Sequence, residues 1–271
     1  MQIGAMNHPG EPLHRELAWM AEMELDFIDL TLEPPAVATW QLKSGEVSRM
    51  LRDHGLGVVG HTAYYLPIGS SFESLRLAAI EELKRAAEFF AAIGAKWMNV
   101  HPDAHAPFVD HPTVLQRNIA SLRELVAFAE PLGVRVMLEN VPHRFNSVAE
   151  LAPIFDAVTQ VGLHLDIGHC NLNVAKITAP ELIRAYASRL AHVHVHDNRG
   201  GHADLHLALG MGDIDYAAQI RELQRAGYDG TITLEVFARD RHFLAYSRDR
   251  LRELWDAGAT SRKAQTHGVA V

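Results

Sequence analysis

The chain has one cysteine, Cys170, among 271 residues, so no intrachain disulfide is available and a reducing compartment is expected. No stretch of it approaches the roughly 20 consecutive apolar residues of a membrane-spanning helix. Its opening residues, MQIGAMNHPGEP, carry neither a basic leader nor an apolar signal stretch, and a cytoplasmic location is the expectation. Positive charge is also in deficit, with 25 Lys and Arg against 33 Asp and Glu and a formal net charge of −8. That argues against a broad nucleic-acid footprint, which depends on neutralising phosphates, although a local basic mouth is still allowed.

What the chain has is histidine, 17 of them, and a core-forming 48% of apolar residues. With so little sulfur, a transition-metal site would draw on nitrogen and oxygen ligands. Short apolar runs alternate with amphipathic segments and no linker-like break. Strands are expected at 2–6, 26–30, 56–61, 96–101, 134–139, 162–167, 190–196 and 229–236. Helices are expected near 12–24, 45–54, 71–93, 112–131, 147–159, 179–188, 213–226 and 241–257. Gly55, Gly94, Gly133 and Gly227 stand where left-handed C-caps belong, and Ser71, Ser147 and Asp213 stand where N-caps belong. Eight strand-then-helix repeats close most economically as a single-domain α/β fold, a (β/α)8 TIM barrel over residues 1–258. Residues 259–271 read as a polar, disordered tail.

Six of the runs end in a metal-ligating residue: His61, His101, Glu139, Asp166, His194 and Glu235. Strand alternation separates Val193 and Val195 from His192, His194 and His196, and Ile232 and Leu234 from Thr233 and Glu235. The apolar sets should meet the helices and the polar sets should point into the barrel. In a barrel these strand ends converge on one mouth. His169 follows three residues after Asp166, and a long loop adds Asp204 and His206. Four carboxylates gathered together without cations would be costly to bury, so a divalent metal, Zn2+, Mn2+ or Mg2+, is expected. Singly, each residue has a plain alternative as a hydrogen-bonded histidine or half of an ion pair. His8, His105, His164, His192 and His196 stand outside the set, and Cys170 reads as a small packed residue. Tyr64 and Arg199 are substrate-contact candidates, and Tyr65 and Phe108 are rim aromatics.

These residues lie in HTAYYLPIG, NVHPD, MLENVP, HLDIGHCN, HVHVHDN, DLHLALGMGDID and TLEVF. In this order and spacing the chain resembles the xylose-isomerase-like TIM-barrel superfamily over roughly residues 1–257. That superfamily includes sugar and sugar-phosphate isomerases and epimerases, and the endonuclease IV type of apurinic-site enzyme. The isomerase and epimerase branch implies one divalent ion on Glu139, Asp166, His194 and Glu235. The two glutamates would then move a proton through a metal-stabilised enediolate, while His169 orients the substrate. The endonuclease branch implies up to three zinc ions. Its ligand set adds His61, His101, His169, Asp204 and His206, all of which this sequence keeps. Four carboxylates with neutral imidazoles carry −4; three divalent ions would bring the cluster to +2, and one would leave it at −2. The acidic chain favours the first branch. The expected function is a metal-dependent isomerase or epimerase of a small sugar, keto-sugar or sugar phosphate, with a multi-zinc phosphodiesterase acting on abasic DNA as the alternative.

Overall fold

The computed structural model describes residues 1–103 and 108–267, with side chains through Gly258. Eight strands pair in sequence order and in parallel, and β1 closes on β8. The strands are β1 (Gln2–Met6), β2 (Phe27–Leu32), β3 (Gly57–Thr62), β4 (Trp97–Val100), β5 (Arg135–Glu139), β6 (Gly162–Asp166), β7 (Leu190–Val195) and β8 (Thr231–Leu234). Between and after them run α1 (Leu13–Glu22), α2 (Ser44–His54), α3 (Glu73–Ile93), α4 (His111–Ala129), α5 (Val148–Ala157), α6 (Ala179–Tyr186), α7 (Tyr216–Arg225) and α8 (His242–His267). This is the single-domain TIM barrel expected from the repeats. No described helix is long and apolar enough to cross a membrane.

Helix ends follow local chemistry. Gly55 and Gly94 take φ of +68° and +86°, a conformation that a side chain would strain, and Gly133 and Gly227 do likewise. Ser147 caps α5 by accepting from the Glu150 amide, while Glu150 reaches back to the Asn146 amide at 3.0 Å. Two expected caps differ. Helix α3 begins at Glu73 with Phe72 at its cap position and no side-chain cap, and the Phe72 amide donates to the Ser70 hydroxyl. Helix α7 is capped by Asp215, which accepts from the Ala218 amide at 3.0 Å, because the Asp213 amide is tied to the Asn198 carbonyl. Helix α8 continues into the segment read as a tail, as far as His267; residues 268–271 lie outside the described residues.

Strand alternation sorts the barrel into layers. Ile3, Ile28, Leu138, Leu165, Val193 and Ile232 are buried in the large apolar cluster formed with the helices. Facing inward at the N-terminal end, Phe27, Val59 and Met137 pack with Trp97 and Ala191 as a plug. Gly4 makes room for it, since a Cβ there would lie 2.5 Å from the Phe27 ring. Above the plug the interior turns polar: Asp29, Asn99, His164, His192 and Thr233 are all fully buried. The register shifts between Leu163 and His164, so that Leu163 pairs with Leu190 but His164 pairs with His192. The extra residue, Ala191, joins the plug, and the histidines of β7 turn to the axis.

The seam between chain ends is tied outside the sheet as well. Arg241, just ahead of α8, donates to Glu16 of α1 at 3.0 Å, and Arg252 donates to the Glu24 carbonyl at 3.1 Å.

Candidate metal centre

The mouth of the barrel opens into a cavity of about 1330 Å³, whose wall includes His61, His101, Glu139, His169, His206 and Glu235. Glu139 and Asp166 are the last residues of β5 and β6, His194 is the penultimate residue of β7, and Glu235 follows β8 directly. Although β8 ends at Leu234, the Glu235 amide still donates to the Val195 carbonyl, so the ladder fixes its backbone.

Each of Glu139, Asp166, His194 and Glu235 offers a donor atom, and the four atoms lie within 4.8 Å of one another. His194 Nδ1 is 3.1 Å from Glu235 and 3.8 Å from Asp166. A second grouping shares Glu139: His101 Nε2 is 2.8 Å and His61 Nε2 3.9 Å from its Oε2. On the far side Asp204 bridges His169 at 3.2 Å and His206 at 3.1 Å. The compact donor groupings there run through His196 instead, with Asp166 and His169 in one and with His206 and Glu235 in another. All nine residues expected at the mouth therefore meet, with Asp204 at the outer edge.

The charges are mutually held. Burial alone would raise the Glu139 carboxyl, but facing His164 and His101 outweigh it and keep it well below the ordinary range. Asp166 is likewise depressed despite burial, by His169 and His196. Burial would lower His169 and His194, yet Asp166 and Asp204 raise the first, and Glu235 and Asp29 raise the second. His61, with burial dominant, falls to about 3 and is neutral.

The donor set fits a divalent cation. It consists of imidazole nitrogen and carboxylate oxygen, and Asp166 Oδ2, His61 Nδ1 and His101 Nδ1 are buried without a hydrogen-bond partner. Three carboxylates in one buried quartet call for a compensating positive charge.

Sequence reasoning missed the layer beneath. Asp29 accepts from His194 Nε2 at 2.6 Å and from the Thr233 hydroxyl at 2.9 Å, and lies 3.3 Å from His192 Nε2. Asn99 donates to Glu139 at 3.0 Å. His164, His192 and His196, left outside the expected set, are all fully buried in the centre. The available signal was alternation in β2, which aligns Asp29 with inward-facing Phe27 and Thr31.

The peripheral candidates divide. Tyr64 lines the cavity with its ring centroid 6.4 Å from that of His101. Arg199 is exposed and is not part of the cavity wall; Gly200 and Gly201, both left-handed, turn the chain directly after it. Tyr65 and Phe108 are exposed. His8 is exposed at the cavity rim, and His105 lies outside the described residues. Cys170 is buried, its thiol pushed up by burial, and it accepts from Asn140 at 3.4 Å.

Known proteins share this architecture. An L-ribulose 3-epimerase of Mesorhizobium japonicum is 29% identical over 240 residues, covering 83% of this chain and 76% of the relative. A probable endonuclease 4 of Thermotoga maritima is 25% identical over 188 residues, covering 61% of this chain and 64% of the relative. A crystal structure of a D-tagatose 3-epimerase-like protein superposes with a TM-score of 0.86 at 23% identity, covering 96% of this chain and 99% of that one, a likeness of fold. Residues 17–261 match the family described as xylose isomerase-like TIM barrel, and the chain belongs to that family.

Proposed function

We propose that the protein is a divalent-metal-dependent epimerase or isomerase of a small sugar, keto-sugar or sugar phosphate, acting by proton transfer beside a carbonyl. The observation that carries this reading is the pairing of Glu139 and Glu235, which approach one donor cluster from β5 and from the end of β8. Two carboxylates on different walls of one mouth suit removal of a proton from one face of a carbon and return to the other. The epimerase relative supports the same chemistry.

Glu139, Asp166, His194 and Glu235 would hold the ion. When bound, it supplies positive charge that stabilises the negative charge developing on substrate oxygens. Glu139, steered by the Asn99 side-chain amide at 3.0 Å, would accept the proton. Glu235, steered by His194, is its counterpart. His169 donates through Nδ1 to the Asn140 carbonyl at 2.9 Å, which fixes its ring at the mouth, and it would turn its Nε2–H from Asp204, 3.2 Å away, to a substrate oxygen. The buried setting of these residues supports the reading, because a water-poor site strengthens their hold on the charge that develops on the substrate.

The test is exchange of the substrate α-proton with deuterated solvent across a panel of ketoses. Glu139→Gln and Glu235→Gln should each lower exchange by ~10²–10⁴-fold without loss of fold. Undiminished exchange in both variants would defeat the mechanism.

One observation favours a second reading. The nine residues expected of a three-zinc phosphodiesterase all lie together at the mouth, and one relative is a probable endonuclease 4. Nicking of abasic duplex that disappears with a chelator would move that reading forward. Inertness with both zinc and manganese would remove it.

A further inference from the structure

Arg144 is a cation without an anion. It lines the cavity, and its Nη1 is enclosed with no hydrogen-bond partner. Among the described residues no carboxylate lies within ion-pair distance of it, although Glu139, Glu235, Asp204 and Glu33 line the same cavity. Arg241, also on the cavity wall, is the contrast: Glu16 neutralises it at 3.0 Å, and its guanidinium lies 4.4 Å over the Trp19 ring. Enclosing a guanidinium nitrogen without a partner is unfavourable, and the residue is always charged.

The segment that carries Arg144 is built to hold it. His143 and Phe145, on either side, both take the left-handed conformation, with φ of +74° and +71°. For a bulky residue such as Phe that conformation persists only when the surroundings impose it. Here the Phe145 ring is fully buried, and its carbonyl accepts from the Val141 amide. The next side chain, Asn146, donates to the His169 carbonyl at 2.8 Å and accepts from Asn140 at 3.0 Å. Arg144 thus sits on a short segment anchored to the same loops that carry the metal centre.

The cavity also has space for a larger molecule than the reacting carbons require. Its volume of about 1330 Å³ exceeds the ~300–1,000 Å³ usual for small-molecule sites.

From these observations we infer that Arg144 seats an anionic group of the substrate, a phosphate monoester or a carboxylate carried on the sugar outside the reacting carbons. A guanidinium offers two parallel N–H donors to either anion, and the pairing gains strength in an enclosed site. The inference rests on the ketose reading above and narrows it to acidic ketoses.

The experiment is calorimetric titration of the metal-loaded 271-residue chain with fructose, fructose 6-phosphate and a ketose uronate. Wild type, Arg144→Lys and Arg144→Gln are compared, with folding checked by circular dichroism. One charged ketose should bind about tenfold or more tightly than fructose, with the gain lost in Arg144→Gln and partly kept in Arg144→Lys. Which of the two shows the gain identifies the anion. In wild type that ligand should also protect Arg144 from phenylglyoxal, mapped by peptide mass spectrometry, a readout that needs no variant. Equal affinity for charged and neutral ketoses, no binding of either charged ketose, or a gain that survives Arg144→Gln overturns the inference. Exchange of the α-proton of neutral fructose reports separately on the ketose reading, so exchange without a charge preference defeats the Arg144 subsite alone.

Discussion

His194 donates through Nε2 to the Asp29 carboxylate at 2.6 Å, joining two residues 165 positions apart in the chain. The carboxylate needs a donor, so the proton belongs on Nε2 and Nδ1 is the nitrogen left to face Glu235 and Asp166. Thr233 braces the other partner by donating to the same Asp29 oxygen. Asp29 is therefore a positioning residue, which sets both the tautomer and the angle of His194. Asp29→Asn should weaken divalent-metal affinity ~10–100-fold while leaving the fold intact. Competition with a chromophoric chelator measures this, and unchanged affinity would show that Asp29 is only a packed acid.

Ion count separates the two enzymatic readings. Under the proposed function, elemental analysis of protein purified without chelator should give about one divalent ion per chain, bound at the quartet. His61→Ala and His206→Ala should leave that count unchanged, and Glu235→Gln should remove the ion. A count near three, falling in the histidine variants, would favour phosphodiester chemistry.

Metal binding should release protons. In the metal-free protein His194 is raised well above its ordinary value because Glu235 and Asp29 outweigh its burial, which favours the protonated ring. Only neutral Nδ1 can ligate an ion, so binding expels that proton and affinity rises with pH until the raised pKa is passed. Calorimetry in two buffers of different ionisation enthalpy should show release of about one proton or more. Proton uptake would contradict the assignment.

The plug is separable from the chemistry. Gly4→Ala puts a methyl 2.5 Å from the Phe27 ring, inside contact distance. The strain should reduce stability by ~1–3 kcal/mol in a urea denaturation series. Metal affinity should change little, since the layer of Asp29 and His192 stands between the plug and the quartet, with His192 edge-on to the Phe27 ring at 5.8 Å. Loss of both together would mean that the two layers are mechanically linked.

The sequence disclosed the barrel and the mouth for a simple reason. Strand alternation is local, so His194 beside Val193 and Val195 declares its facing within five residues, and Glu235 does the same in TLEVF. Asp29 obeys the same alternation, but it is one acid in FIDLTL, and nothing nearby reveals that His192 and His194 will meet it. The N-caps of α3 and α7 lie one and two residues beyond Ser71 and Asp213, where the loop contacts of the Phe72 amide with Ser70 and of the Asp213 amide with the Asn198 carbonyl hold the chain outside the helices. Arg144 follows Glu139 by five residues with no spacing or pattern that marks it in the sequence. Its isolation depends on where every acid of the cavity points, which is a tertiary property.

The pairing of β1 with β8 sets an order of events during synthesis. A nascent chain that has exposed seven strands still has two open sheet edges and lacks Glu235. Until the last strand leaves the ribosome, the quartet has three members and faces solvent through the gap. Under the proposed function, ion capture would therefore follow translation of β8, because Glu235 joins the quartet last.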